Sequence, residues 1–239
     1  MVGAVMSAAD IAACAIFIAC WIAYEPLIMQ MTSGRGAINI DMRAVREGWI
    51  RRMLAREHRV FDSGLIGHQL STASFFASTN LLVIAAASGL LFGGEAMLAN
   101  LRGLSLIAPA PAWVMETKFA LVVVVLAMGL LDFVWSIRQF NYCLALFGAA
   151  PNPEDTARHE DYVRATTAVI DPAYAAFNRG VRAYYFSLAA AAWIVSPWAM
   201  LLGVIGAFLL LMRRQVASQA AIGLRDARRQ LEEMQRRPD

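Results

Sequence analysis

Apolar residues gather into long runs separated by polar, arginine-rich segments: about residues 3–25, 69–92, 117–147 and 183–212. A helix needs about 20 apolar residues to cross a hydrocarbon core ~30 Å thick. Runs of this length predict membrane spans rather than core helices of a soluble domain. Ser196-Pro197 interrupts the last run. Proline pushes the residue before it out of helical geometry, so this stretch reads either as one kinked span or as a hairpin of two short arms, 183–196 and 198–212. Each arm offers about 15 apolar residues and reaches ~23 Å, short enough to require local thinning or incomplete crossing. The predicted fold is all-α: a polytopic transmembrane helical bundle of four to five segments over residues 1–212, then a charged tail over 213–239. The first run lacks a basic leader and ends on Glu25-Pro26 instead of a small-residue cleavage site, so it is expected to stay as a span.

Between the first two runs the period changes. On a helical wheel from Asp41 to Phe61, Met42, Val45, Trp49, Ile50, Met53, Leu54, Val60 and Phe61 share one side, and Arg51, Arg52, Arg56, His58 and Arg59 share the other. Ser33-Gly34-Arg35-Gly36 and Asp62-Ser63-Gly64 punctuate its ends. Such a basic amphipathic helix either lies in the headgroup plane or packs on the inner ends of the spans. The mixed charges of the tail read as a solvated, fraying helix.

Composition agrees with the runs. Of 239 residues, 59% are hydrophobic and 16% charged, with a mean hydropathy of +0.52; a soluble domain carries about 25% charged residues. An ordinary soluble domain and a disordered chain are excluded, and three cysteines are too few for a disulfide scaffold. Cys14, Cys20 and Cys143 read as small apolar fillers. The formal net charge of +3 conceals strong segregation among 21 basic residues, of which only Lys118 is a lysine. Five crossings with the N-terminus outside and the C-terminus inside leave only Arg102 and Lys118 outside. Four crossings also expose Arg213, Arg214, Arg225, Arg228, Arg229, Arg236 and Arg237 there. The positive-inside rule favours five. Each basic cluster flanks an apolar run, which points to membrane lipids with anionic headgroups at the inner face rather than to nucleic acid.

Polar residues inside apolar runs are the candidate chemistry, because a charge in hydrocarbon is expensive. Asp132 lies ~21 Å along the third span from its outer end, and Asn80 ~15 Å from the inner end of the second. The spans are antiparallel, so the two differ in depth by only ~6 Å. Ser71, Ser74 and Ser78 follow one face of the second span. Asp10 is the other intramembrane carboxylate. Together Asp132, Asn80, Asp10, Ser74 and Ser78 define either a polar path or interhelical hydrogen bonding. At the inner interface Arg51, Arg52, Arg56, Arg59, Arg138, Asn141 and Arg182 are candidate contacts for anions or lipid headgroups, with Arg43 or Arg46 placed to pair with Glu25. His58, His68 and His159 show no metal-ligand spacing; no metal, haem or other cofactor is expected. Nucleotide-binding and hydrolase motifs are absent from the sequence. Asp62, His68 and Ser71 near the inner interface leave a lipid-directed enzyme as a trailing reading, and the expectation is a protein that is not an enzyme.

Several strings together give a more specific signal. They are Arg46-x-x-Trp49 with Met53-Leu54-x-Arg56-x-x-Arg59-x-x-Asp62, Phe75-Phe76-Ala77-Ser78-Thr79, Trp135-Ser136-x-Arg138-x-Phe140-Asn141-Tyr142-Cys143, and Arg182-Ala183-Tyr184-Tyr185-Phe186. With them, residues 10–215 resemble the multi-span membrane family catalogued as domain of unknown function 599, found in bacteria and plants. The resemblance implies a bacterial inner-membrane protein and supplies no activity, substrate or cofactor. Two functions follow as expectations: an oligomeric channel or carrier for a small solute or ion, or a non-catalytic accessory or scaffold subunit. Gly203-x-x-Gly206, which permits close helix packing, suits the second, which places the protein in a larger membrane complex.

Overall fold

A computed structural model describes residues 6–32, 38–93 and 111–236. Their helices are α1 (Ala8–Thr32), α2 (Ile38–Leu54), α3 (Val60–Phe92), α4 (Ala112–Gly148), α5 (His159–Val195), α6 (Pro197–Ala217) and α7 (Gln219–Arg236), and no strand is present among the described residues. Four stretches are long and apolar enough to cross a membrane: Ala8–Gln30, Val60–Phe92, Ala112–Gly148 and Pro197–Met234. The chain is a polytopic helical bundle. Residues 94–110, between the second and third apolar runs, lie outside the described residues, as does Ser33-Gly34-Arg35-Gly36.

The contacts divide the chain into two compact units. The first comprises Met1–Leu27, Ser78–Leu131 and Arg179–Met212. Its core is Phe17 of α1, Val122, Val125 and Leu126 of α4, Phe186, Ala189, Ala190 and Trp193 of α5, and Met200 and Val204 of α6. Local chemistry sets its helix ends. Ser7 precedes α1, accepts the Asp10 amide at 3.1 Å as an N-cap and donates its hydroxyl to Asp10 Oδ2 at 2.6 Å. Ser196 does the same work at the break, its Oγ accepting the Ala199 amide at 3.0 Å, while Pro197 occupies the first helical position, where no amide donor is needed.

The break is a reversal. A Cβ built on Gly203 would lie 3.2 Å from Ala189 Cα. Those residues are 14 apart and sit symmetrically about Ser196; along one continuous helix they would be ~21 Å apart. The two arms therefore fold back on each other, and the missing side chain at Gly203 allows the approach. Gly129 is tighter still: a Cβ there would lie 2.7 Å from Ala183 Cβ and 3.3 Å from Asn80 Nδ2. Gly206 faces open space.

The second unit comprises Ile28–Ala77, Asp132–Asn178 and Arg213–Asp239. Its core joins Ile50, Met53 and Leu54 of α2 to Ile66 of α3, Phe140, Cys143 and Phe147 of α4, and Val163, Ile170 and Ala173 of α5. This corrects the reading of residues 41–61 as one amphipathic helix. The helix stops at Leu54, Val60 and Phe61 at the start of α3 are exposed, and the apolar face of α2 is buried against neighbouring helices. The tail is corrected as well. Instead of fraying in solvent, α7 packs along α2, with Leu231 against Gly48 at 3.5 Å and Arg228 bonded to the buried Asp41 at 3.3 Å. Ser218 caps α7 through the Ala221 amide.

Overpacking a tight core position costs about 1–3 kcal/mol. Gly129→Ala is therefore expected to lower the unfolding midpoint in detergent, whereas Gly206→Ala leaves it unchanged or raises it through helix propensity. Circular-dichroism melts of the two variants side by side test this, and equal melts would contradict the close approach at Gly129.

Candidate functional site

In the first unit, three helices converge on one carboxylate. Asp10 is 8% exposed and Lys118 2%. Asp10 Oδ1 accepts the Trp193 indole N–H at 2.7 Å and lies 3.6 Å from Lys118 Nζ. The ammonium also stands 5.7 Å from the centre of the Trp193 ring, within range of a cation–π contact. Oδ2 is held by Ser7. Residues from α1, α4 and α5 thus neutralise and saturate a carboxylate inside apolar segments, where either charge alone would be prohibitive. The sequence marks Asp10 but only counts Lys118 among the basic residues on the outer side; the structure buries it.

Asn80 is buried, and its amide donates to the Leu126 carbonyl at 2.9 Å. It belongs to the first unit, whereas Asp132, half-buried on α4, belongs to the second. The described bond of Asn80 is therefore an interhelical tie to backbone. Ser74 is half-buried, and Ser71 and Ser78 are exposed, so the serine row does not turn into the bundle as a path lining must. Glu25 pairs with Arg182 at 3.4 Å, not with Arg43 or Arg46, and the Arg182 guanidinium lies 4.8 Å from the Tyr24 ring centre.

The second unit holds most of the arginine chemistry. Arg46, buried, bonds Asp171 at 2.5 Å and stacks over the Tyr174 ring at 5.1 Å; Arg43 reaches the same carboxylate at 3.6 Å. Asp62, fully buried, accepts from Trp49 at 2.7 Å and from Arg56 at 2.6 Å. Arg59 donates to the carbonyls of Ala150 and Pro151, 2.8 and 2.5 Å away, just past the end of α4, where a cation suits the helix dipole. Arg51 grips Glu160 with two bonds of 2.8 and 3.1 Å. Arg51, Arg56 and Arg59 are thus engaged with the protein itself, while Arg52, Arg138 and Asn141 are exposed. His68 and Ser71 are exposed too, and Asp62 accepts from Trp49 and Arg56.

One feature of this unit has no counterpart in the sequence reading. Ser136 donates to the Ala173 carbonyl at 2.8 Å and Tyr162 to the Leu146 carbonyl at 2.5 Å, two rungs that pin α4 antiparallel to α5. Between the rungs, Gln139, Thr166 and Thr167 are buried, and among the described residues Gln139 Nε2 and the Thr167 hydroxyl have no hydrogen-bond partner. Pro172, which has no amide proton, leaves the Ala168 carbonyl without its helical donor on the same stretch. Buried polar groups of this kind are commonly satisfied by internal water. Thr166 and Thr167 fall between the third and fourth apolar runs, outside the predicted spans, which hides them.

The class is therefore a multi-span helical membrane protein whose polar residues knit helices together. The family described as "Protein of unknown function, DUF599" matches residues 12–220, and the chain belongs to it. No curated protein and no solved structure matches.

Removing one partner of a buried ion pair typically costs about 3–5 kcal/mol. Lys118→Met should destabilise the protein by that order, and Asp10→Asn with Lys118→Met by less than the two single losses summed, with a coupling of about 0.5–3 kcal/mol. Equilibrium unfolding in mixed micelles measures both, and strict additivity would mean that the pair does not interact. On the polar side, the hydrogen bonds from Arg51 hold the Glu160 carboxyl below its ordinary value of 4.5. A lowered carboxylate contributes stability that is complete above the ordinary value and disappears as pH falls through the lowered one. Acidification below about pH 4.5 should weaken the wild type, and Glu160→Gln should show a flatter profile in that window.

Proposed function

We propose that the protein is a non-catalytic scaffold or accessory subunit of the bacterial cytoplasmic membrane, with its N-terminus outside and its C-terminus inside. The observation that supports the scaffold reading is the closure of Asp10 on Lys118 and Trp193. The charges best placed inside the first unit for a solute to meet are spent on one another. The arginines of the second unit add to this: Arg46, Arg51, Arg56, Arg59 and Arg228 each bind an acid or a carbonyl of the same unit. The orientation rests on charge. Of the 21 basic residues all but Arg102, Lys118, Arg179 and Arg182 belong to the second unit, and the tail packs on α2 within it. The positive-inside rule puts that unit in the cytoplasm.

A second reading, a carrier or channel, is favoured by one observation: Gln139 Nε2 and the Thr167 hydroxyl, buried between α4 and α5, have no partner among the described residues. Polar groups without protein partners can lend themselves to a passing solute. Two measurements separate the readings. A scaffold extracted in mild detergent migrates as a complex larger than its own oligomer, with a stoichiometric partner, and its proteoliposomes are as tight to ions and small solutes as empty ones. Flux through those proteoliposomes that falls in Gln139→Leu or Thr167→Val would replace the scaffold with a carrier. For orientation, a reporter fused after Asp239 should be active only in its cytoplasmic form; activity of a periplasmic reporter would reverse the assignment.

A further inference from the structure

The geometry of α4 points to a binding site for one anionic phospholipid on the outer face of the second unit, built from Trp135, Arg138, Asn141 and Tyr142. Phe140, Cys143 and Phe147 turn the other face of this helical stretch into the core, so these four residues look away from the protein. Trp135 is 50% exposed and Tyr142 43%, and Arg138 and Asn141 are exposed as well. They occupy positions i, i+3, i+6 and i+7, which one helical face can present together.

Each residue supplies a different part of the site. Arg138 Nε donates to the Tyr142 hydroxyl at 2.6 Å, and its guanidinium carbon lies 5.9 Å from the ring centre. That contact fixes a long, otherwise mobile side chain. The two terminal amino groups have no described partner in the protein, and their planar geometry matches two phosphate oxygens. Asn141, exposed, donates its amide N–H to the Ile137 carbonyl at 3.1 Å, which leaves its side-chain oxygen available as an acceptor for a headgroup hydroxyl. Val134 and Trp135 are exposed one turn earlier, an apolar surface for the glycerol backbone and upper acyl chain. Tryptophan and tyrosine prefer this depth of a bilayer. Charge completes the argument. The first basic residue after Lys118 on α4 is Arg138, so it marks the level at which the apolar stretch gives way to headgroups. A phosphate with a hydroxylated headgroup fits this set, and a phosphocholine, which offers no hydroxyl donor and carries a cation toward Arg138, does not.

The test uses the full chain in micelles containing equal phosphatidylglycerol and phosphatidylcholine, with retained lipid counted by native mass spectrometry. It depends on neither orientation nor the scaffold reading, so its failure would leave those standing. The wild type should keep phosphatidylglycerol in preference to phosphatidylcholine. Arg138→Gln should reduce the retained phosphatidylglycerol about fivefold, the effect of one arginine at a lipid surface. Tyr142→Phe, which frees the guanidinium without removing it, should give a smaller loss. Arg164→Gln, an exposed arginine on α5, is the control. Unchanged retention in Arg138→Gln, or an equal loss in Arg164→Gln, would overturn the site. Displacement of the lipid by millimolar glycerol 3-phosphate would show a soluble-phosphate site and overturn the lipid assignment.

Discussion

A carboxylate and an ammonium can enter an apolar helical bundle only if they enter together. That constraint organises the first unit. Asp10 is fixed at the start of α1 by the cap that Ser7 provides, and Lys118 begins the apolar part of α4. Trp193 must reach both from α5 near the hairpin turn. Satisfying these positions sets the axial register of three helices at once, a degree of specification that dispersion packing among Ala, Val and Leu side chains does not supply. In the second unit the same problem is solved with arginines. Half-buried Asp171 and fully buried Asp62 draw guanidinium groups from α2 and from the turn that follows it.

Pattern alone reveals the spans because hydrophobic length is a local property. The Ser196-Pro197 break is equally local: a missing amide proton and a capping hydroxyl operate within four residues. What the sequence leaves open is which way the chain goes after such a break. The decisive fact is the seating of Gly203 on Ala189, a contact across the turn that no single residue announces.

The candidate sites were legible in proportion to how local their partners are. Asp10 stands out as an acid in an apolar run, but its partners lie 108 and 183 residues away in the chain, and only helix packing pairs them. The amphipathic face of α2 is plain in the sequence, yet a membrane surface and a protein core present the same apolar environment, so periodicity cannot choose between them. Arg46 and Asp171 look like ordinary surface charges until the helices that carry them meet. The strings that carry the family resemblance acquire a physical meaning here. Arg46, Trp49, Arg56, Arg59 and Asp62 each tie the second unit together, while Ser136 and Arg182 bridge helices.

The turn at Ser196 also bears on biogenesis. Helix α5 is not among the stretches apolar enough to cross a membrane, and its first half is polar. An insertion machinery that samples one segment at a time would pass over it. Because Ala189 and Gly203 lie against each other, α5 and α6 can leave the translocation channel as a preformed pair, with the more apolar α6 carrying its partner into the lipid. The last two segments then depend on each other: a change at Ala189 or Gly203 acts on both arms at once.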